Sequence, residues 1–196
     1  MLDDRLVATP VEAGALEALT AEYGSSQNPK IEKGYAEAIG SLMCLSTMTR
    51  PDLAFVTSFL ARFMSAPTER HWGAIKRVMR YLAQTMDLGL WFNGPDLGDN
   101  ELAAFSDSDW AGCRITRTST TGLIIQLAGG AVSRRSARQK CVSPSSCEAE
   151  FVVGSAAAQE VKWLRSLLKA INPQGVVGPT RLMIDNTGAA ELASDL

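Results

Sequence analysis

FSDSDWAG, residues 105–112, sets two aspartates one residue apart at the end of an apolar stretch, with a tryptophan and a glycine close behind. Asp107-Ser108-Asp109 reads either as a solvated turn or as acidic residues placed at a strand end to hold a metal. What surrounds it decides between the two. LAAFSDSD reads as a strand running into Asp107. After a turn-rich link, TGLIIQL at 121–127 is a β-branched strand, Gly129-Gly130 a hairpin turn and AVSRRS a third strand. A long helix is expected from Ser146 to Ala170, with Phe151, Val153, Ala157, Val161, Leu164 and Leu168 facing inward and Asn172-Pro173 as its stop. RLMID at 181–185 is a fourth strand ending on another carboxylate, and NTGAAELASDL opens a last helix. The helical crossover should set the fourth strand parallel to a neighbour, which makes an α/β layer.

The acidic residues then have places. Asp107 ends the first strand, Asp185 ends the fourth, and Glu148 and Glu150 open the long helix. Adjacent parallel strands end on the same side of a sheet, and ligands of open α/β sheets bind beyond such ends. Hard oxygen ligands clustered there suit Mg²⁺ or Mn²⁺ and not zinc. Two such ions roughly 4 Å apart activate a water and stabilise the leaving oxygen in phosphodiester cleavage. Ser145-Ser146-Cys147-Glu148 fits the S-x-x-E capping box, which gives Glu148 a structural job. Glu150 points about 200° around the helix from it and is left for a metal. Asp109 shares a face with Asp107 if the strand continues through both, and its competing reading is a turn cap.

The rest of the chain bounds the answer. With 196 residues, 46% hydrophobic and 20% charged, the composition is that of an ordinary globular protein of one sizeable domain or two small ones. Apolar runs fall short of the ~18 residues that span a bilayer. MLDDRLVATPVEAG has no apolar core of a signal peptide. Cys44, Cys113, Cys141 and Cys147 show no CxxC spacing and read as reduced intracellular thiols, not as a zinc site. A net charge of −2 gives no global nucleic-acid signature. Yet no acidic residue falls between Trp110 and Cys147, a stretch that holds Arg114, Arg117, Arg134, Arg135, Arg138 and Lys140. Such a run is ordinarily a solvated face; carboxylates on both sides make it a candidate nucleic-acid contact.

Residues 1–33 read as a partly loose lead-in and 34–85 as helical. Pro51 suits the first turn of a helix to Met64, with Leu53, Val56, Leu60 and Phe63 inward. A second helix starts at Thr68, with Trp72, Ile75, Met79 and Leu82 as its stripe and Arg70, Lys76, Arg77 and Arg80 solvated. His71, the only histidine, has no partner for metal or triad chemistry. LGLWF at 88–92 reads as a short strand, and NGPDLGDN at 93–100 as the domain boundary.

These residues together resemble the C-terminal part of a copia-type retrotransposon Pol polyprotein, the tail of reverse transcriptase followed by RNase H. The resemblance covers 34–192 and rests on YAEAIGSLMCLSTMTRPDLAF at 35–55, HWGAIKRVMRYLAQT at 71–85 and FSDSDWAG. RTSTTGLIIQLAGGAVSRRSARQ at 117–139, SSCEAEF at 145–151, EVKWLRSLL at 160–168 and IDN at 184–186 follow in the family's order. It implies an α/β, RNase H-like mixed sheet of five strands with flanking helices, four strands being visible, preceded by a small helical region. The implied division is a lead-in at 1–33, a reverse transcriptase tail or connection region at 34–93 and an RNase H-like domain at 101–196, incomplete at its C-terminus. By similarity the metal ligands are Asp107, Glu150 and Asp185, and the activity is Mg²⁺- or Mn²⁺-dependent cleavage of the RNA strand of an RNA–DNA hybrid. The basic stretch 114–140 would contact nucleic-acid backbone, with recognition by groove shape and 2′-hydroxyls. The implied partners are the hybrid and the upstream reverse transcriptase region, with no membrane. The implied location is intracellular: cytoplasmic, in virus-like particles or nuclear.

The chain departs from the family's pattern in places. A fourth acidic residue follows a further strand in the family, and Leu196 comes before it. Arg134 stands where a tryptophan is usual, and Pro144 where a leucine or similar residue is usual. The polymerase aspartates would lie upstream, so polymerase activity is not expected. Two functions compete: an RNase H-type nuclease, active or decayed, and a non-catalytic remnant that binds nucleic acid or a partner chain. A third, the D-x-D of a nucleotide-sugar transferase, has only the triplet itself behind it.

Overall fold

The computed structural model describes residues 7–12, 14–22, 29–92, 102–113, 115–174 and 178–195. Among them are six α-helices, one 3-10 turn and a four-stranded mixed sheet, a mixed α/β architecture. The chain divides into two compact units, Met1–Gly89 and Leu90–Leu196. The stretch 93–100, expected as the boundary, lies outside the described residues.

Helices build the first unit: α1 (Ala15–Ala21), α2 (Pro29–Met48), α3 (Ala54–Ala61) and α4 (Glu69–Gln84), with the 3-10 turn Pro51–Leu53 leading into α3. Tyr35, Ile39 and Leu42 recur on one face of α2 and are fully buried with Leu53, Val56, Leu60, Ile75 and Val78. Pro51 holds the first turn as expected, but the single helix expected to reach Met64 is a 3-10 turn followed by α3, which ends at Ala61. Arg50 fixes this corner. Its guanidinium, 5% exposed, forks onto both Asp52 oxygens at 3.0 and 2.7 Å and donates to the Thr85 carbonyl at the end of α4.

His71 does not stand apart in this unit. At the start of α4 the Thr68 N–H donates to His71 Nδ1 at 2.9 Å while Thr68 Oγ1 accepts from the His71 N–H, a capping box with histidine in place of the usual Glu or Gln. With Nδ1 accepting, Nε2 carries the proton and donates to the Leu19 carbonyl of α1 at 2.9 Å. The inward face of α4 therefore centres on His71, Ile75, Val78 and Tyr81. The expected Trp72, Met79 and Leu82 are half-buried on its flank. Bonded polar rings can sit in a core, which an apolar stripe does not register. Part of the lead-in expected to be loose is also ordered: α1 packs with Leu19 buried, and the Val7 N–H donates to Gln84 Oε1 at 2.7 Å.

The second unit runs β1 (Ala103–Asp109), β2 (Thr120–Leu127), β3 (Gly130–Arg138), α5 (Ser146–Ile171), β4 (Arg181–Ile184) and α6 (Thr187–Ser194). The sheet order is β3-β2-β1-β4, with β1 and β4 parallel and the other pairs antiparallel. The β2–β3 turn puts Ala128 and Gly129 at positive φ, 51° and 76°. One face of α5 (Val153, Ala157, Val161, Leu164) buries Ala104, Leu123 and Ile125 of the sheet. Phe151, expected inward, is half-buried. Residues 88–92, expected as a strand, form none and join no ladder of the described sheet. Phe92 instead covers the β2–β3 turn, where a Cβ on Gly130 would meet its ring at 2.4 Å. No described helix is long and apolar enough to cross a membrane.

Candidate metal centre

Ser106 of β1 and Ile184 of β4 form the last parallel pair of the sheet. The residues that follow them, Asp107 and Asp185, therefore lie at the same end of this parallel pair, Asp185 just past β4 and Asp107 still within β1. Both are exposed, whereas Ala104 and Ser106 point to the buried side under α5, so the two aspartates share the opposite face. β1 does not stop at Asp107 as expected. It stays paired with β2 through Asp109↔Thr120. Asp107 thus has β2 on one side and, past the end of the β4 ladder, Asp185 on the other.

The third carboxylate comes from the start of α5. Ser145 Oγ caps the helix by accepting from the Glu148 N–H at 3.1 Å, and Glu148 stays exposed. Glu150 turns inward and is only 5% exposed. Its Oε1 accepts from the Ser108 N–H at 2.8 Å, while its buried Oε2 has no hydrogen-bond partner among the described residues. One carboxylate oxygen from each of Asp107, Glu150 and Asp185 lies within 4.8 Å of the others. Burial pushes the Glu150 carboxyl above the ordinary carboxylate range, the Ser108 N–H pulls it back, and the charges of Asp107 and Asp185 raise it again. Converging like charges and an orphaned buried oxygen are both unfavourable in isolation, and a hard divalent cation would relieve both. The residues fit such an ion.

Asp109 and Glu148 stand outside this group. The Asp109 side chain fills the space beside Gly112, where a Cβ would come within 1.8 Å of Oδ2, which fits the turn reading. The basic candidates do not form one cluster. Arg134 and Arg138 pair with Ile124 and Thr120 and so point to the same sheet face as Asp107. Two strand spacings, roughly 10 Å, separate β3 from β1. Arg135 pairs with the buried Leu123 and points to the α5 side. Arg117 is exposed in a turn at φ 54°, Lys140 is exposed past β3, and Arg114 lies outside the described residues. Arg138 also bonds the Cys113 thiol. Burial would push that thiol up, but the bonds from Thr116, Ile115 and Arg138 outweigh it and bring it to about 7.

The sequence reading passed over Gln139, which is 6% exposed. Its side-chain Nε2 donates to Ser108 Oγ at 3.3 Å and to the Ala149 carbonyl at 3.1 Å, and its Oε1 accepts from the Ser143 hydroxyl at 3.3 Å. An uncharged polar residue between Arg138 and Lys140 was the available signal.

Comparison with known proteins agrees with the resemblance. The chain is 38% identical over all 196 residues to the retrovirus-related Pol polyprotein from transposon RE2 of Arabidopsis thaliana, and spans 13% of that protein. It is 38% identical over 137 residues to the corresponding polyprotein from transposon TNT 1-94 of Nicotiana tabacum, covering 70% of this chain and 10% of that one. It is also 45% identical over 130 residues to the secreted RxLR effector protein 161 of Plasmopara viticola, covering 66% of this chain and 90% of that one. No family model matches the chain, and no solved structure matches it. Alignment of the whole chain with one transposon polyprotein and of most of it with another, in a chain whose motifs follow their order, makes the assignment: it belongs to the copia-type retrotransposon Pol polyproteins, of which it is a segment.

Proposed function

We propose that the second unit is an RNase H-like nuclease module that cleaves the RNA strand of an RNA–DNA hybrid. The observation that carries this reading is the convergence of Asp107, Glu150 and Asp185 beyond two parallel strands, with Glu150 Oε2 left without a partner among the described residues. A mixed sheet with β1 central and α5 across one face supports an RNase H-like fold. Bound Mg²⁺ or Mn²⁺ supplies an activated water and stabilises the leaving oxygen. The chain's own part is to hold three hard oxygens at the strand ends, with Glu150 kept in place by the Ser108 N–H. Arg134 and Arg138, on the same face as Asp107, contact phosphates of the hybrid, an attraction that weakens with salt. The first unit is read as the tail of the reverse transcriptase region.

A second reading, a segment that binds without cleaving, draws support from the relative of which this chain covers 90%, whose name is that of an effector and not of a polyprotein. A labelled RNA–DNA hybrid incubated with the protein and Mg²⁺ or Mn²⁺ tests both. Metal-dependent RNA cleavage that disappears in Asp107→Asn is expected. A folded protein that binds the hybrid and leaves the RNA intact overturns the nuclease reading in favour of the second.

A further inference from the structure

Three hydrogen bonds close a ring beside the carboxylates. The Ser108 N–H holds Glu150 Oε1 at 2.8 Å, Ser108 Oγ accepts from Gln139 Nε2 at 3.3 Å, and the same Nε2 donates at 3.1 Å to the carbonyl of Ala149, the residue before Glu150. Gln139 therefore touches β1 one residue past Asp107 and α5 one residue before Glu150. Its own N–H donates to the Ser119 carbonyl at 2.8 Å, and its Oε1 accepts from Ser143, so the amide is anchored at its far end. Both N–H groups of the amide and its oxygen are used, and each is used in its only chemically allowed sense. Ser119 and Ser143 are themselves buried, so the anchor is rigid.

We propose that Gln139 is a positioning residue that sets the separation between Asp107 and Glu150. It acts without contacting the metal, and the inference rests on the metal-site reading above. Without Gln139 the hydrogen bond that remains between the start of α5 and β1 here, among the described residues, is that of the Glu150 carboxylate itself, which in the metal-bound state must also serve as a ligand. Groups that orient ligands from behind typically contribute 10- to 100-fold in metal affinity. Glutamate at 139 keeps the size but turns a donor toward the Ala149 carbonyl into an acceptor, so it fails where glutamine works.

Mn²⁺ titration followed by calorimetry tests this on the whole chain, with metal-free thermal unfolding recorded beside it. The unaltered protein is expected to bind Mn²⁺, and Gln139→Leu to bind at least about 10-fold more weakly. Leu164→Ala, a core substitution far along α5, should lower the unfolding temperature and leave affinity unchanged, which separates positioning from stability. Should Gln139→Leu not fold, Ser108→Ala removes one bond of the same ring and should weaken binding by a smaller factor. Native affinity in a folded Gln139→Leu, or in Ser108→Ala if that variant has to stand in, overturns the role of Gln139 while the metal site stands. No Mn²⁺ binding by the unaltered protein overturns the metal reading and this inference with it.

Discussion

A Cβ built on Gly154 of α5 would stand 2.9 Å from Cδ1 of Ile184 on β4. Ile184 is the residue before Asp185, so the bare backbone at 154 lets the helix lie close to the strand that presents one of the three carboxylates. Gly154→Val should cost about 1–3 kcal/mol by overpacking, read as a lower urea midpoint. It should weaken Mn²⁺ binding as well. Gly154→Ala meets only the movable end of the isoleucine and gains roughly 1 kcal/mol of helix propensity, so it should be near neutral. A fully tolerated valine would mean that the helix and β4 can separate without consequence.

Removing charge from the carboxylate cluster should raise stability in the absence of metal. Glu150→Gln keeps an acceptor for the Ser108 N–H and removes a buried charge facing two others. A gain of about 0.5–2 kcal/mol is expected in metal-free denaturation, together with loss of the stabilisation that Mg²⁺ gives the unaltered protein. Equal stability of the two proteins without metal would contradict the electrostatic account.

Acid should loosen the first unit through Asp52. Burial pushes this carboxyl up, but the bonds from Arg50 and Tyr81 and the guanidinium charge outweigh burial and hold it below its ordinary range. A lowered carboxylate adds stability that is complete above the ordinary carboxylate range and disappears as pH falls through the lowered value. The acid limb of a stability–pH curve should therefore flatten in Asp52→Asn. Arg50→Ala, which strands Asp52 and the Thr85 carbonyl, should cost about 2 kcal/mol at neutral pH.

The β2–β3 turn is improvable. Ala128 sits at φ 51°, a region where a Cβ is strained, and Gly129 follows at 76°. Ala128→Asn gives the Asn-Gly pair that such turns favour and should add about 0.5–1 kcal/mol, visible as a higher unfolding temperature.

The second unit was more legible than the first. Alternation in LAAFSDSD and TGLIIQL and a long amphipathic run specify strands and helix locally, and the parallel placement of β4 follows from the length of its connection; the hairpin turn expected at Gly129-Gly130 falls one residue earlier, on Ala128-Gly129, with Gly130 already in β3. Asp107 and Asp185 could be named because chain direction puts them at one sheet end, and Glu150 because the capping box claims Glu148 and leaves Glu150 on another side of the helix. Asp109 could not be separated from Asp107, since the difference lies in how the Asp109 side chain fits against Gly112. Gln139 and His71 stayed hidden for a common reason: their partners lie in other elements, and a polar side chain reads as core only when those partners are in view. LGLWF misled because strand propensity says nothing about whether a segment's backbone joins a ladder: here its Phe92 ring packs over Gly130 at the start of β3 instead.

The early part of the chain is fastened by residues made much later. Val7 is bonded 77 positions downstream by Gln84, Glu12 65 positions downstream by Arg77 and Leu19 52 positions downstream by His71. At 5–20 residues per second, a ribosome takes roughly 3–15 s to supply those fasteners. Until then these three bonds cannot form, and a 7-residue helix alone does not persist in water. Order of synthesis is therefore not order of folding within the first unit: completion of α4 is the event that closes it.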